Sequence, residues 1–156
     1  RQMCIRDSRC YGLPTVSLRY FTVYGPRQRP DMAFHRFFKA ARDGEPIHLY
    51  GDGRQTRDFT FVSDIVAATR AAAVSGRRGS VYNVGGGERV ELNHVLGLIE
   101  TIAGRPLRIQ REEAQRGDMR DTFADTTAAR RDLDFESRIG LPEGLAREWE
   151  WLGGRS

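Results

Sequence analysis

Between residues 15 and 152, short runs of β-branched and aromatic residues alternate with longer stretches whose apolar members recur at helical spacing. This alternation constrains the fold more than any other feature, because helices that follow strands one by one must pack onto a mostly parallel sheet. The pattern predicts an α/β layered domain. Thr15-Val16-Ser17-Leu18-Arg19-Tyr20-Phe21, entered through Gly12-Leu13-Pro14, reads as a buried strand. Residues 24–30 hold two prolines and a glycine and read as an ordered loop. Asp31 is placed to cap a helix over 32–43, with Ala33, Phe34, Phe37, Phe38 and Ala41 on one face and Gly44 as its stop. Strands are expected at 46–50, 59–62, 80–84 and 107–109. Helices are expected at 63–75 behind a Ser63 cap, at 92–103 before Gly104, at 126–133, and at 142–152 with Pro142 at the first helical position.

The chain has 156 residues, a formal net charge of +4 and 39% apolar residues. At that length about 70% of the unfolded surface can be hidden, so a core forms without staples. No window approaches the roughly 20 apolar residues that span a bilayer, which excludes an integral helical membrane protein. Cys4 and Cys10 both lie near the start, in a stretch without the layout of a secretory signal, and the expected compartment is the reducing cytoplasm. The basic charge is almost all arginine, Lys39 being the only lysine, and it is spread along the chain. A nucleic-acid binder gathers such charge on one face or in one run, so no nucleic-acid partner is expected.

No Gly-x-Gly-x-x-Gly joins a strand to a helix, and no Walker loop or metal-spaced Cys/His cluster occurs. His35, His48 and His94 fall in three separate elements, which favours structural roles. Gly85-Gly86-Gly87 lies between a strand and a helix, where it could bring backbone close to a phosphate or simply turn the chain. Arginine and carboxylate residues gather in loops at strand ends: Arg27, Arg29 and Arg36, then Arg57-Asp58, then Arg116-Gly117-Asp118. Ligands of open α/β sheets bind beyond the carboxyl ends of strands, and the arginine fork suits a phosphate oxygen pair. An anionic, nucleotide-linked ligand fits this distribution.

The string from Leu18 to Ala33, Leu-Arg-Tyr-Phe-Thr-Val-Tyr-Gly-Pro-Arg-Gln-Arg-Pro-Asp-Met-Ala, resembles the extended short-chain dehydrogenase/reductases, the NAD-dependent nucleotide-sugar epimerases and dehydratases. Further matches follow in family order: Tyr50-Gly51-Asp52-Gly53, Thr56-Arg57-Asp58-Phe59, Val62-Ser63-Asp64-Ile65, Tyr82-Asn83-Val84-Gly85, and Gly117-Asp118 with Ala124-Asp125. The resemblance covers residues 11–152 and implies the C-terminal part of a Rossmann-type enzyme with its smaller substrate-binding domain. Within the family the string is most like the UDP-glucuronate 4-epimerases, since Thr22 stands where neutral-sugar epimerases usually carry asparagine. A threonine hydroxyl can donate to a sugar carboxylate, and its small size leaves room for one.

The resemblance further implies that Phe21 packs near the nicotinamide of NAD and that Thr22 meets the sugar carboxylate. It puts Arg29 in the sugar and diphosphate pocket, and Met32 and Ala33 along the nucleotide. Arg36 and Arg57 would hold the diphosphate, Tyr50 would flank the uracil, Asp118 would reach the ribose, and Gln115 occupies a place where some relatives have arginine. Decarboxylases, UDP-glucose 4-epimerases and dTDP-glucose 4,6-dehydratases share the fold, and a non-catalytic nucleotide-sugar-binding module is the reading from another class. The family's glycine-rich dinucleotide turn and Tyr-x-x-x-Lys set find no match, so the chain implies a C-terminal half, 9–152, with NAD held mostly by the other half. Tyr11 lacks a lysine four residues on and is not the catalytic tyrosine. Residues 1–8 read as a non-native leader and 153–156 as a tail. A homodimer is expected of the whole protein, and exposed apolar faces of this half alone.

Overall fold

A computed structural model describes residues 10–113 and 119–153. The strands pair as four ribbons. β1 (Ser17–Tyr20) runs parallel to β6 (Val81–Val84), and β2 (Val23–Tyr24) runs parallel to β5 (Thr60–Phe61). β3 (Pro46–Tyr50) runs parallel to β8 (Arg108–Glu112), while β4 (Thr56–Arg57) and β7 (Val90–Glu91) are antiparallel. Among the described residues the helices are α1 (Ala33–Asp43), α2 (Val62–Ser75), α3 (Leu92–Ala103), α4 (Thr127–Leu133) and α5 (Leu141–Gly153). Every parallel pair joins strands distant in sequence with helices between them, as α/β connectivity requires.

Two apolar cores result. The larger one gathers Phe34, Phe37 and Phe38 of α1, Val95, Leu96 and Ile99 of α3, and Leu141, Leu145 and Leu152 of α5 around Tyr24, Leu49 and Phe61. Aromatic rings meet edge to face there, Tyr24 with Phe34 at 5.3 Å and with Phe61 at 5.5 Å between centroids. The smaller core sets Ile65, Ala68 and Ala72 of α2 and Ala129 and Leu133 of α4 against Tyr82 and Val84 of β6. Buried Asp64 of α2 links the two, accepting from the amides of Arg138 and Ile139 at 3.0 and 3.2 Å just before α5. Tyr20 on β1 and Val66 and Val74 on α2 stay exposed beside the smaller core.

Two helix ends marked by glycine behave as expected, Gly44 and Gly104 adopting left-handed φ of 72° and 66°, whereas Gly76 behind α2 is extended at φ −64°. The predicted caps do not. Met32 takes the N-cap position of α1, and the Asp31 carboxylate pairs instead with Arg29 at 2.9 Å. α2 starts at Val62 behind Phe61, which leaves Ser63 in the first turn donating to Asp64 at 3.4 Å. α5 opens at Leu141, so Pro142 is its second residue. β1 is shorter than the predicted strand, β8 runs on to Glu112, and β2, β4 and β7 form where the sequence reads as loop or carries no strand signal. Two-residue strands carry no period of their own; the distant partner creates them.

Candidate functional site

A cavity of about 280 Å³ opens where β1 and β3 end and β2 begins. Thr22 lines it from the turn between β1 and β2, where its carbonyl oxygen accepts the Thr60 amide at 2.9 Å. Ala33, Phe34, Arg36 and Phe37 enter from the first turns of α1. Tyr50 closes the end of β3, and Arg57 arrives on β4. The half-buried Arg57 guanidinium donates to the carbonyls of Thr56 at 2.9 Å and Arg120 at 3.3 Å, which fixes its stem across the floor. A larger depression of about 740 Å³ shares Asp31, Arg36, Phe37 and His48 with this cavity, so the two form one groove around α1.

Five of the sequence-predicted residues therefore meet in one place: Thr22, Ala33, Arg36, Tyr50 and Arg57. Three others do not line the cavity. Arg29 is exposed and paired with Asp31, Met32 caps α1 beside that pair, and Phe21 follows β1 with its amide bonded to the Val84 carbonyl at 3.0 Å. Gln115 and Asp118 lie outside the described residues. The lining also includes residues the sequence did not single out. Gln55 is anchored by its amide to the Tyr50 carbonyl at 3.1 Å, and Phe59 and Leu92 supply apolar wall. His48, expected to be structural, reaches the groove rim with Nδ1 2.6 Å from Glu112 of β8. The parallel register of β3 and β8, invisible in either strand alone, makes that pair.

Behind the cavity sits Asp58, fully buried, its carboxylate accepting the amides of Gly86 at 2.6 Å and Ala124 at 2.9 Å. Burial raises its pKa, opposed by those amides and by that of Gly87. The glycine triplet is consequently filled by the protein itself: a Cβ on Gly86 would run into the Phe59 carbonyl, and one on Gly85 into Ala124. It is a close-packing turn with a carboxylate at its back, not a phosphate cradle. Among the described residues no group of metal-ligating side chains occurs, and no helix is long and apolar enough to cross a membrane.

Residues 1–85 match the sequence profile of the NAD dependent epimerase/dehydratase family. The chain belongs to that family. It is 40% identical, over 97% of its length, to an uncharacterized UDP-glucose epimerase, YtcB, of Bacillus subtilis, and 37% identical, over 90% of its length, to a UDP-glucuronate 4-epimerase of Thermodesulfobacterium geofontis. These alignments cover 48% and 44% of the relatives, so the chain spans about half the length of the curated relatives it matches. Its fold superposes on UDP-glucuronic acid 4-epimerase from Bacillus cereus, solved with UDP-glucuronic acid and NAD, with a TM-score of 0.95 and 36% identity over 99% of this chain and 50% of that one. The architecture thus matches the C-terminal half of the extended epimerases and dehydratases, as the sequence resemblance implied. The family's cofactor is NAD. Among the described residues, Gly85 and Gly86 of the glycine triplet are occupied by the protein's own atoms.

Proposed function

We propose that this chain is the substrate-binding half of an NAD-dependent nucleotide-sugar 4-epimerase whose substrate is UDP-glucuronate. The observation that carries the reading is the convergence of Thr22, Arg36, Tyr50 and Arg57 on one cavity at the strand ends. Two guanidiniums from different elements suit a diphosphate, each fork matching an oxygen pair. Tyr50 flanks the uracil, Ala33 and the α1 start run along the nucleotide, and Thr22 donates to the sugar carboxylate. Arg29 and Met32, on the exposed loop before α1, close over the sugar only if Arg29 leaves Asp31. Gln115 and Asp118 are assigned to the ribose side by resemblance alone. Phe21 would be this chain's contact to the nicotinamide end of NAD, which when bound would supply reversible hydride transfer at the sugar. What these residues do is hold UDP firmly while leaving the sugar space to turn.

The general base lies in the other half of the family's fold, so residues 9–152 alone are expected to bind and not to turn over. Homodimerisation and a cytoplasmic location belong to the same proposal for the whole protein. The deciding experiment is an NMR product assay on the full-length protein with UDP-glucuronate and NAD. UDP-galacturonate establishes the epimerase, UDP-xylose keeps the site and moves the chemistry to decarboxylation, and an unchanged spectrum removes the uronate reading. Thr22→Asn tests the carboxylate contact: the ratio of kcat/KM for UDP-glucuronate to that for UDP-glucose falls, and an unmoved ratio defeats the assignment.

A further inference from the structure

The sugar-facing side of the cavity hangs on one buried side chain far away in sequence. Glu148 of α5 is fully buried, and its Oε2 accepts the Gly25 amide at 3.0 Å, while Oε1 has no hydrogen-bond partner among the described residues. Gly25 follows β2 with φ 128°, and a Cβ there would press to 2.9 Å on Phe61 and Val62, so this backbone has a single seat. From Gly25 the bonding runs on towards the site. The Gly25 carbonyl accepts the Gln28 amide at 3.1 Å. The Gln28 side chain donates to the Val23 carbonyl and accepts the His35 amide, both at 3.0 Å. One network thus ties α5 to the loop after β2, to Val23 beside Thr22, and to the first turn of α1.

We infer that Glu148 is a positioning residue for the sugar subsite: by holding Gly25 it sets where Thr22 and the start of α1 stand, without touching ligand itself. The assignment rests on the nucleotide-sugar reading above. The other contacts from α5 and the residue before it are made to side chains around Gly25, among them Arg147 over the Phe61 ring at 5.8 Å. The Tyr24 ring lies against Gly144 with its hydroxyl 3.4 Å from the Gly140 carbonyl, and Trp151 meets the His35 ring edge-on at 6.2 Å. These contacts hold α5 in place but offer nothing to the Gly25 amide. Tyr50 and Arg57 reach the cavity on β3 and β4, outside the network, so two of the uridine diphosphate contacts stand without Glu148, and Arg36 and Ala33, on α1, are the ones that share its support.

The test compares Glu148→Leu, which fills the space and removes the acceptor, with Glu148→Gln, whose side-chain oxygen can still accept the amide. Calorimetric titration of the full-length protein is run with UDP and with UDP-glucuronate. Leu is expected to weaken UDP-glucuronate about tenfold and UDP by less than about threefold, the loss of one buried hydrogen bond being felt at the sugar end. Gln restores the ratio of the two affinities. If Leu weakens both ligands equally, or leaves both unchanged, the positioning role is overturned and Glu148 is a packing residue. Should Leu not fold, Glu148→Asp withdraws the carboxylate by one methylene and must shift the ratio the same way; an unmoved ratio overturns the inference. A wild-type protein that binds neither ligand sinks the nucleotide-sugar reading itself, whereas one that binds both with a ratio indifferent to residue 148 sinks only this assignment.

Discussion

Asp58→Ala should be among the most damaging single changes outside the cavity, although Asp58 touches no ligand. The carboxylate takes two amides, from Gly86 after β6 and from Ala124 before α4, and so joins three distant segments behind Arg57. Alanine leaves both donors buried and unpaired, at about 1–3 kcal/mol each, so a loss of about 4 kcal/mol is expected. For a full-length protein about twice as long as this chain that corresponds to a fall in Tm of roughly 6 °C. Asp58→Asn keeps one acceptor oxygen and should lose about half as much. The assay is urea unfolding of the full-length protein followed by far-UV circular dichroism, with a thermal melt in parallel. An alanine variant melting within about 1 °C of wild type, or an asparagine variant no better than alanine, would refute the bond-by-bond reasoning.

Burial pushes Glu148 up to about 7 from an ordinary 4.5, against the single opposing amide of Gly25, with the Tyr24 phenol close by and the neighbouring Arg147 turned to Glu143. Its stabilising contribution is full below about pH 4.5 and is lost as pH rises through about 7, at most about 3 kcal/mol. Glu148→Gln should therefore flatten the stability profile between those limits and gain on wild type above pH 7, and parallel profiles in chemical denaturation would count against this. Arg57→Ala should weaken UDP by about tenfold or more in calorimetry, one charge-assisted contact being removed, and unchanged affinity would displace Arg57 from the diphosphate role. Gly86→Ala drives a methyl into the Phe59 carbonyl and should cost at least about 2 kcal/mol; a neutral effect on the urea midpoint would show that the turn can yield.

Much of the element order was legible because the local signals are strong. The apolar stripe of α1 and α3 and the left-handed glycines at Gly44 and Gly104 needed no tertiary information. The motif residues Thr22, Arg36, Tyr50 and Arg57 were likewise identifiable from their order along the chain. What failed was local where the competition was not local. Asp31 and Ser63 are good capping types, yet Asp31 is taken by Arg29, and Ser63 falls past the helix start because Thr60 and Phe61 are recruited to β2. The sequence of the glycine triplet leaves a phosphate approach and a plain turn both open, and packing shows Phe59, Ala124 and Asp58 against it.

The sequence by itself determined the family, the alternation of strand and helix, and the chemical types able to meet an anionic ligand, because periodicity, glycine stops and motif order are properties of neighbouring residues. Only the tertiary structure decided which of those residues share a cavity, that Arg29 is turned to Asp31, and that His48 pairs with Glu112. It alone revealed the hold of Glu148 on Gly25, 123 residues apart. Such contacts depend on strand register and on which carboxylate is walled off from water, and neither is written in any local stretch of chain.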